Sequence, residues 1–574
     1  MRTLCYALAA LCINAVSAHA QPIILDPNLT VSLVADTLDM PSSMAFIGVD
    51  DILILQKNDG KVRRVLNGAL LANPVLDVDV DPRSFGGLLG IAIHPNFQTN
   101  KFVYLFYTEG SGGSDTLGSA VANRIYRYTW DSASGALTAP LLIMSLPFSI
   151  TSGNYSGVMA FGPDGKLYVT VGDQGLSGQL QNNPGGAAPN DTSVILRLND
   201  DGTASKNNPF YSQGGVVAKY FAYGIRNSFG MAFDPVSGKL WNSENGPANW
   251  DEINLVAPGF NSGWNKIQGP MSRDLEGENE ADLFSLTRSR YSDPEFSWFE
   301  SVGLTGMAFV DSLELGPEYE NNLFIGDYVF GNLSRFELNR RRDGIDFTLL
   351  EDLRDKVADN ANERNDVRIG TDFGSISDVR TGPDGLLYVL SISDGAIYVV
   401  HRVVEIGASS VADGELGVPF NLNLSLAGGT APYTATLLTG ALPDGLAIVN
   451  DAITGTPTKM KKYSFSVQVT EQSGASTTKN FQSRIYRALV LATNNLPKGR
   501  VGRRYLADLA AMFGKIPHTW SIVAGTLPAG LTMAPATGRI TGTPTTAGTA
   551  NLTFEVTDGL AVSLSKALSI EIQP

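Results

Sequence analysis

Residues 159–169 read Met-Ala-Phe-Gly-Pro-Asp-Gly-Lys-Leu-Tyr-Val, and the tripeptide Met-Ala-Phe returns at three other places in the chain. In such a stretch Pro-Asp-Gly supplies a proline with a fixed φ and a glycine with a free φ, which is typical of hairpin turns. The stretch therefore predicts a strand, a tight turn and a second strand. The copies of the first strand begin at Met44, Met159, Met231 and Met307, with related strands at Ile91-Ala92-Ile93 and Asp378-Val379-Arg380.

Six repeated units of several short strands each predict an all-β fold, a six-bladed β-propeller over roughly residues 25–402. The alternative is a set of unrelated β-sandwiches. Four literal copies of one tripeptide in register disfavour that alternative, because unrelated domains have no reason to share a repeat.

A second repeat follows the propeller. Leu442-Pro443-Asp444-Gly445-Leu446 and Ile453-Thr454-Gly455-Thr456-Pro457 return as Leu527-Pro528-Ala529-Gly530-Leu531 and Ile540-Thr541-Gly542-Thr543-Pro544. Each copy is followed by strands of alternating polarity, which predicts two immunoglobulin-like β-sandwiches over residues 403–486 and 487–574. Both are similar to the Ig-like modules of bacterial secreted and surface proteins, which act as spacers or adhesive units.

The composition agrees with a fold of many short strands. The chain has 574 residues, of which 60 are glycines and only 17% are charged. Its net charge is −15. Helical bundles and coiled coils are richer in charged residues. A nucleic-acid partner is not expected, because binding phosphate requires a basic face.

The first 20 residues have the form of a secretory signal peptide. Arg2 is followed by a mostly apolar run and by Ala18-His19-Ala20, an A-x-A cleavage site. We expect cleavage before Gln21 and a location in the periplasm, outside the cell or on its surface. Cys5 and Cys12 both precede that site, so the mature chain would contain no cysteine. No transmembrane segment is expected, because the apolar run is shorter than the ~20 residues of a membrane span.

Four motifs in the propeller region resemble the glucose/sorbosone dehydrogenase family. They occur in the order of that family and span the whole propeller. They are Gly87–Phe97, Phe161–Thr170 with Gly172-Asp173, Ala222–Gly230, and Glu244–Pro247 with Asp251–Asn254, Asn261 and Gly263-Trp264.

The resemblance implies a six-bladed propeller with its site at one end of the central channel. Soluble members of the family bind pyrroloquinoline quinone (PQQ) and Ca²⁺ and oxidise aldose sugars. In them a histidine base takes the proton of a sugar hydroxyl while hydride passes to the quinone.

Several residues match the family's binding residues. Arg226 and Asn227 match the pair that contacts PQQ, although a strand-end arginine paired with a local carboxylate is the alternative. Gly246 and Pro247 match backbone carbonyls that bind the cofactor's Ca²⁺. Asp251-Glu252 matches a second, structural Ca²⁺ site, with a solvated turn as the alternative.

Other positions depart from the family. Asn154 occupies the position of the catalytic histidine, and asparagine cannot act as a general base near neutral pH. A remaining carboxylate, Asp173 or Glu244, is the alternative base. The mature chain has His94, His401 and His518, none of them an obvious replacement. Four further positions lack the family's polar or cationic residue: Phe85, Val329, Ser375 and Ser377.

Two functions therefore remain open. The first is a secreted PQQ-dependent aldose dehydrogenase-like enzyme with a remodelled site. The second is a non-catalytic, calcium-stabilised propeller that binds a sugar, a polysaccharide or a protein at the cell surface, projected by the two Ig-like modules.

Overall fold

The computed structural model describes residues 21–574 except 114, 151, 152, 275, 430 and 473. The predicted signal peptide, residues 1–20, lies outside the described residues. The chain divides into two compact units, the first ending at Arg402 and the second running from Val403 to Pro574.

Within the described part of the first unit, six separate sheets form the blades of a β-propeller. Their first strands contact one another in order around a closed ring, and the last of them contacts the first. Five of the six contain the repeated tripeptide or its near copy, and the sixth contains Asp378. The predicted six-bladed propeller is therefore confirmed.

The strands of the blades are as follows. Blade 1 contains Pro41–Gly48, Asp51–Gln56, Lys61–Leu66, Ala69–Leu70 and Leu76–Asp77. Blade 2 contains Leu88–Ile93, Phe102–Glu109, Ala122–Asp131 and Ala136–Leu146. Blade 3 contains Ser156–Phe161, Leu167–Val171, Val194–Leu198, Tyr220–Tyr223, Phe260–Asn261 and Arg290–Tyr291.

Blade 4 contains Gly230–Phe233, Leu240–Glu244, Asn249–Val256, Phe296–Glu300 and Val357–Ala358. Blade 5 contains Leu304–Phe309, Leu323–Asp327, Leu333–Phe336, Arg368–Thr371 and Ile23–Ile24. Blade 6 contains Ile376–Thr381, Leu387–Ser391, Ala396–Arg402 and Leu29–Ala35.

The N-terminal segment closes the propeller. Leu29–Ala35 pairs antiparallel with Ala396–Arg402, so the two ends of the unit share one sheet. Ile23–Ile24, just before the predicted start at residue 25, pairs with Arg368–Thr371 at the edge of blade 5. Pairing the first segment of the unit with its last strand leaves no gap in the ring.

The core lies between the blades. Leu167–Val171 is buried at every position, because neighbouring blades cover both faces of the sheet. The aromatic residues of the repeat join this packing. Phe233, for example, packs edge-to-face on Tyr168 of the preceding blade, with ring centroids 5.0 Å apart.

Helices are short and lie in connections. The α-helices are Phe97–Asn100 and Ala361–Asp366. The 3₁₀ helices are Gln179–Gln181, Tyr211–Gln213, Val216–Lys219, Met271–Arg273, Glu280–Asp282 and Glu351–Leu353. Within the residues described, no helix has both the length and the apolar character needed to cross a bilayer.

The second unit consists of two Ig-like modules with the same sheet pattern. Module 1 has a sheet of Gly414–Glu415, Ser476–Tyr486, Lys462–Thr470 and Thr434–Gly440, a sheet of Phe420–Asn423, Ala452–Gly455 and Leu446–Val449, and the pair Glu405–Ile406 and Leu426–Ala427. Module 2 has a four-stranded sheet of Gly499–Arg500, Ser563–Gln573, Gly548–Thr557 and Thr519–Ala524. Its three-stranded sheet consists of Tyr505–Asp508, Arg539–Gly542 and Leu531–Ala534, and its separate strand pair of Val490–Leu491 and Ala511–Met512. Each module has its own apolar core, and the two predicted sandwiches are confirmed.

Candidate functional site

The residues that match the family motifs lie at one end of the central channel. In each blade the first two strands are antiparallel, so the start of the first strand and the end of the second lie at the same end. Asn154 and Arg226 precede the first strands of blades 3 and 4. Asp173 and Glu244 stand at the ends of the second strands.

Asn154 is hydrogen-bonded to Asp173. Its Nδ2 donates to Asp173 Oδ1 over 2.8 Å, and Trp264 Nε1 donates to Asp173 Oδ2 over 2.7 Å. A Cβ added to Gly172 would lie 2.1 Å from the Asn154 carbonyl oxygen, which explains the glycine at that position. Asp173 is only 2% exposed, whereas Asn154 and Trp264 are half-buried. An amide, a carboxylate and an indole therefore meet at the position of the family's base.

Arg226 is held by the protein itself. Its Nη1 donates to the carbonyl oxygens of Asn245 and Gly246 over 2.8 and 2.9 Å, and its guanidinium lies over the Trp264 ring, 5.2 Å from the ring centroid. Burial lowers the pKa of Arg226, while the carboxylates around it act in the opposite direction. Its Nε is buried and has no hydrogen-bond partner. Within the described residues, the hydrogen bonds of the Arg226 guanidinium thus come from Nη1, and its Nε and Nη2 donors are not bonded to the protein.

Asn227 joins blades 3 and 4. It is 5% exposed and accepts a hydrogen bond from Ser156 Oγ, while its carbonyl oxygen accepts from the Asn245 amide. These contacts make Asn227 part of the wall of the site.

Gly246 and Pro247 form a loop at this end. The Gly246 carbonyl oxygen accepts from Arg226, and its amide donates to Asp251 Oδ1 over 2.9 Å. Pro247 is exposed. The predicted calcium carbonyl of Gly246 thus already has one donor.

Asp251 is fully buried and engaged by backbone amides. Its Oδ2 accepts from Val302 and Gly303 over 2.8 and 2.6 Å, and its Oδ1 accepts from Gly246. Burial raises its pKa despite these donors. Asp251 therefore ties the loop before blade 5 to the Gly246 loop.

Glu252 points elsewhere, because adjacent residues of a strand face opposite sides of the sheet. Its Oε1 accepts a hydrogen bond from the Gly269 amide over 2.7 Å. Glu252 is also the direct pairing partner of Glu244 on the neighbouring strand. Burial raises the pKa of Glu244 to about 7, and burial together with Glu244 raises that of Glu252 to about 8. Two buried carboxyl groups side by side favour either protonation or a bound cation.

A small cavity lies beside this pair. It has a volume of about 10 Å³ and is lined by Arg226, Glu244, Glu252, Ser262 and Trp264 among others. Such a volume holds about one water-sized probe. Among the residues that the structure describes, no group of three or more His, Cys, Asp or Glu side chains is placed to hold a metal ion.

The positions that depart from the family also face this end or lie near it. The Phe85 ring contacts Gly153, next to Asn154, and lies 6.5 Å from the Phe229 ring. Ser377 Oγ donates to the Pro41 carbonyl oxygen, and the Ser375 amide donates to Ser393 Oγ. Val329 is 57% exposed.

Two contacts of the site were not predicted from the sequence. Trp264 was recognised as part of a motif, but its hydrogen bond to Asp173 crosses 91 residues of chain. Ser262 donates to Glu244 Oε2 over 2.6 Å. Ser262 and Trp264 lie one and three residues after the motif asparagine Asn261, and this spacing predicts neither contact.

Comparison with known proteins identifies the same two regions. Residues 38–399 match the family model described as Glucose / Sorbosone dehydrogenase, and residues 403–485 and 489–573 match the one described as "Putative Ig domain". Aldose sugar dehydrogenase YliI of Escherichia coli is 30% identical over 371 residues, covering 63% of this chain and 90% of its own. Quinoprotein glucose dehydrogenase B of Acinetobacter calcoaceticus is 33% identical over 262 residues, covering 42% of this chain and 53% of its own.

A solved structure is also similar to this chain. The crystal structure of the soluble aldose sugar dehydrogenase of Escherichia coli in its apo form matches with a TM-score of 0.51 at 27% identity, covering 65% of this chain and 99% of that chain. The family model spans more than half of the sequence and coincides with the propeller. The chain therefore belongs to the glucose/sorbosone dehydrogenase family.

Proposed function

We propose that the protein is a secreted, sugar-recognising member of this family whose remodelled site no longer carries out the base-dependent oxidation. The observation that carries this proposal is the hydrogen bond between Asn154 and Asp173. It replaces a titratable base by an amide while keeping a polar group against the buried carboxylate.

The sugar is suggested by the family and by the chemistry of the site. Relatives of this chain are named aldose and glucose dehydrogenases. The half-buried Asn154, held by the buried Asp173, is a polar group that can bond to hydroxyls, and Trp264 supplies apolar ring area beside it. Few fixed polar groups combined with an aromatic surface suit a neutral, hydroxyl-rich ligand.

The same residues do not fit PQQ well. PQQ carries three carboxylates, which need cationic or other strong donors. Arg226 has one buried donor left, at Nε, while Asp173, Glu244, Asp251 and Glu252 add carboxyl groups around it. Phe85, Val329, Ser375 and Ser377 supply no charge. Each missing charged hydrogen bond costs about 1.5–3 kcal/mol.

PQQ-dependent aldose oxidation remains the second candidate. It is favoured by the retained pair Arg226 and Asn227 and by the open donor at Arg226 Nε. The relative from Acinetobacter calcoaceticus is named a quinoprotein. If it occurs, a group other than Asn154 must take the proton of the sugar hydroxyl, and Asp173 and Glu244 are the nearby carboxyl groups.

We further propose that Ca²⁺ stabilises the propeller at Glu252. Its buried carboxyl group, the facing Glu244 and the cavity beside them would suit a hard cation with oxygen ligands. The two Ig-like modules would act as a spacer that attaches the propeller to a surface.

Calorimetric titration with a panel of aldoses and polysaccharides, in the absence of PQQ, tests the sugar proposal. A sugar that binds the wild-type chain and binds Asn154→Ala more weakly supports it. Failure of every sugar to bind would contradict it.

A further inference from the structure

The junction between the two Ig-like modules contains a buried pair of acidic residues that belongs to neither core. Glu415 comes from module 1 and Asp558 from module 2, and they are 3% and 5% exposed. A Cβ added to Gly514 would lie 3.2 Å from Glu415 Oε1 and 3.0 Å from Asp558 Oδ2. Both buried carboxyl groups therefore lie against the same point of the junction.

The protein donates more hydrogen bonds to the Asp558 carboxyl group than to the Glu415 carboxyl group. Asp558 accepts three backbone amides, from Lys515 over 2.7 Å, Leu560 over 2.8 Å and Val562 over 3.0 Å. Glu415 Oε2 accepts the Leu489 amide, over 3.2 Å. Among the residues with described positions, no amide or hydroxyl donates to the buried Glu415 Oε1. The anion is therefore better stabilised on Asp558 than on Glu415.

Neighbouring carboxyl groups can hydrogen-bond each other only when one of them carries a proton, because a carboxylate has none to donate. We propose that Glu415 carries this proton, shares it with Asp558, and thereby locks module 2 against module 1. Loss of the proton would leave two like charges buried beside each other and would loosen the junction.

The surrounding charges do not neutralise the pair. The Lys515 ammonium is bound to Asp413 of module 1, with Nζ 2.8 Å from Oδ2. The Arg487 guanidinium lies over the Phe513 ring, 3.7 Å from its centroid.

The small number of oxygen ligands available at Glu415 and Asp558 favours a proton over a metal ion between them. Ca²⁺ takes 6–8 oxygen ligands. Three of the hydrogen bonds to Asp558 come from N–H donors, which occupy lone pairs that a cation would need.

The junction between the two modules would loosen as the pH rises. Burial, and then the bond to Asp558, raise the pKa of Glu415 to about 7. A carboxyl group whose pKa is higher in the folded than in the unfolded state stabilises the fold fully at low pH, and this contribution is lost as the pH rises through the folded value. The junction is therefore expected to be rigid in mildly acidic surroundings and to loosen above neutrality.

Double electron–electron resonance between spin labels on the two modules tests the lock. The chain from Gln21 onward has no cysteine, so Val449→Cys in module 1 and Val523→Cys in module 2 can be labelled specifically. Both positions are exposed. The distance distribution should be narrow at about pH 5.5 and broaden at about pH 8.5.

The matched variant is Glu415→Gln, whose amide can donate to Asp558 at any pH. Its distribution should stay narrow across the range. A distribution that does not change with pH in the wild-type labelled chain would overturn the proposal, and so would equal broadening in Glu415→Gln. Narrowing on addition of Ca²⁺ at the higher pH would identify a cation site instead, and would also overturn it.

Discussion

Asn154 Nδ2 donates a 2.8 Å hydrogen bond to Asp173 Oδ1, at the position where the resemblance places a catalytic histidine. Asp173 also receives the Trp264 indole and the Gly175 amide. The arrangement that would orient a base is therefore present, but the residue that it orients does not titrate near neutral pH. This relationship is the basis for treating the site as one that recognises a sugar.

Replacement of Asn154 by alanine should weaken sugar binding about tenfold, because it removes one hydrogen-bonding group worth about 1.4 kcal/mol at the ligand. Calorimetric titration with the best-binding sugar measures the change. The matched control is Asn207→Ala, at an exposed position in blade 3, which should bind as the wild type does. Equal affinities for the wild type and both variants would place the sugar elsewhere.

The propeller is predictable from the sequence because five of its six blades begin with a visible copy of one strand. The sequence could not predict the contacts within the site, because these join residues far apart in the chain. Asp173 and Trp264 are a clear example, since each belongs to a different motif and their bond depends on the return of the strand Phe260–Asn261 to the sheet of blade 3. Asp251 and Glu252 show another limit. They are neighbours in sequence, but the strand turns them to opposite sides and gives them different partners.

Asp251→Ala should destabilise the propeller by about 3 kcal/mol or more. The substitution leaves the buried amides of Gly246, Val302 and Gly303 without their acceptor, and each unsatisfied group costs about 1–3 kcal/mol. Denaturant unfolding followed by tryptophan fluorescence measures the loss, since five of the six tryptophans lie in the propeller. Asp343→Ala, at an exposed turn, is the control and should change little. Similar stabilities for the two variants would contradict the structural role of Asp251.

The stability of the propeller should fall as the pH rises. Glu244 and Glu252 have pKa values raised to about 7 and 8, so their protonated forms stabilise the fold at low pH and this contribution is lost through that range. In EDTA, the melting temperature of the wild type should drop from about pH 6 to about pH 9.

Glu252→Gln should show a smaller drop, because it removes one of the two buried acids. Glu351→Gln, whose side chain is 79% exposed, should behave like the wild type. A melting temperature that rises over this range in the wild type would show that the two glutamates do not titrate as described.

Chelation tests the proposed calcium. EDTA should lower the melting temperature of the wild type at about pH 8, where a cation would otherwise hold Glu252 ionised. The same treatment should have little effect on Glu252→Gln. If the wild type melts at the same temperature with EDTA and with added Ca²⁺, calcium does not stabilise this propeller.

We propose above that the site recognises a sugar without oxidising it. The most direct test is to incubate the mature wild-type chain with PQQ and Ca²⁺ and to follow sugar-dependent reduction of a dye across a panel of aldoses. We expect no PQQ-dependent reduction, even for a sugar that binds in the calorimeter. Sustained, PQQ-dependent dye reduction by the wild type would contradict it and would establish the protein as a dehydrogenase.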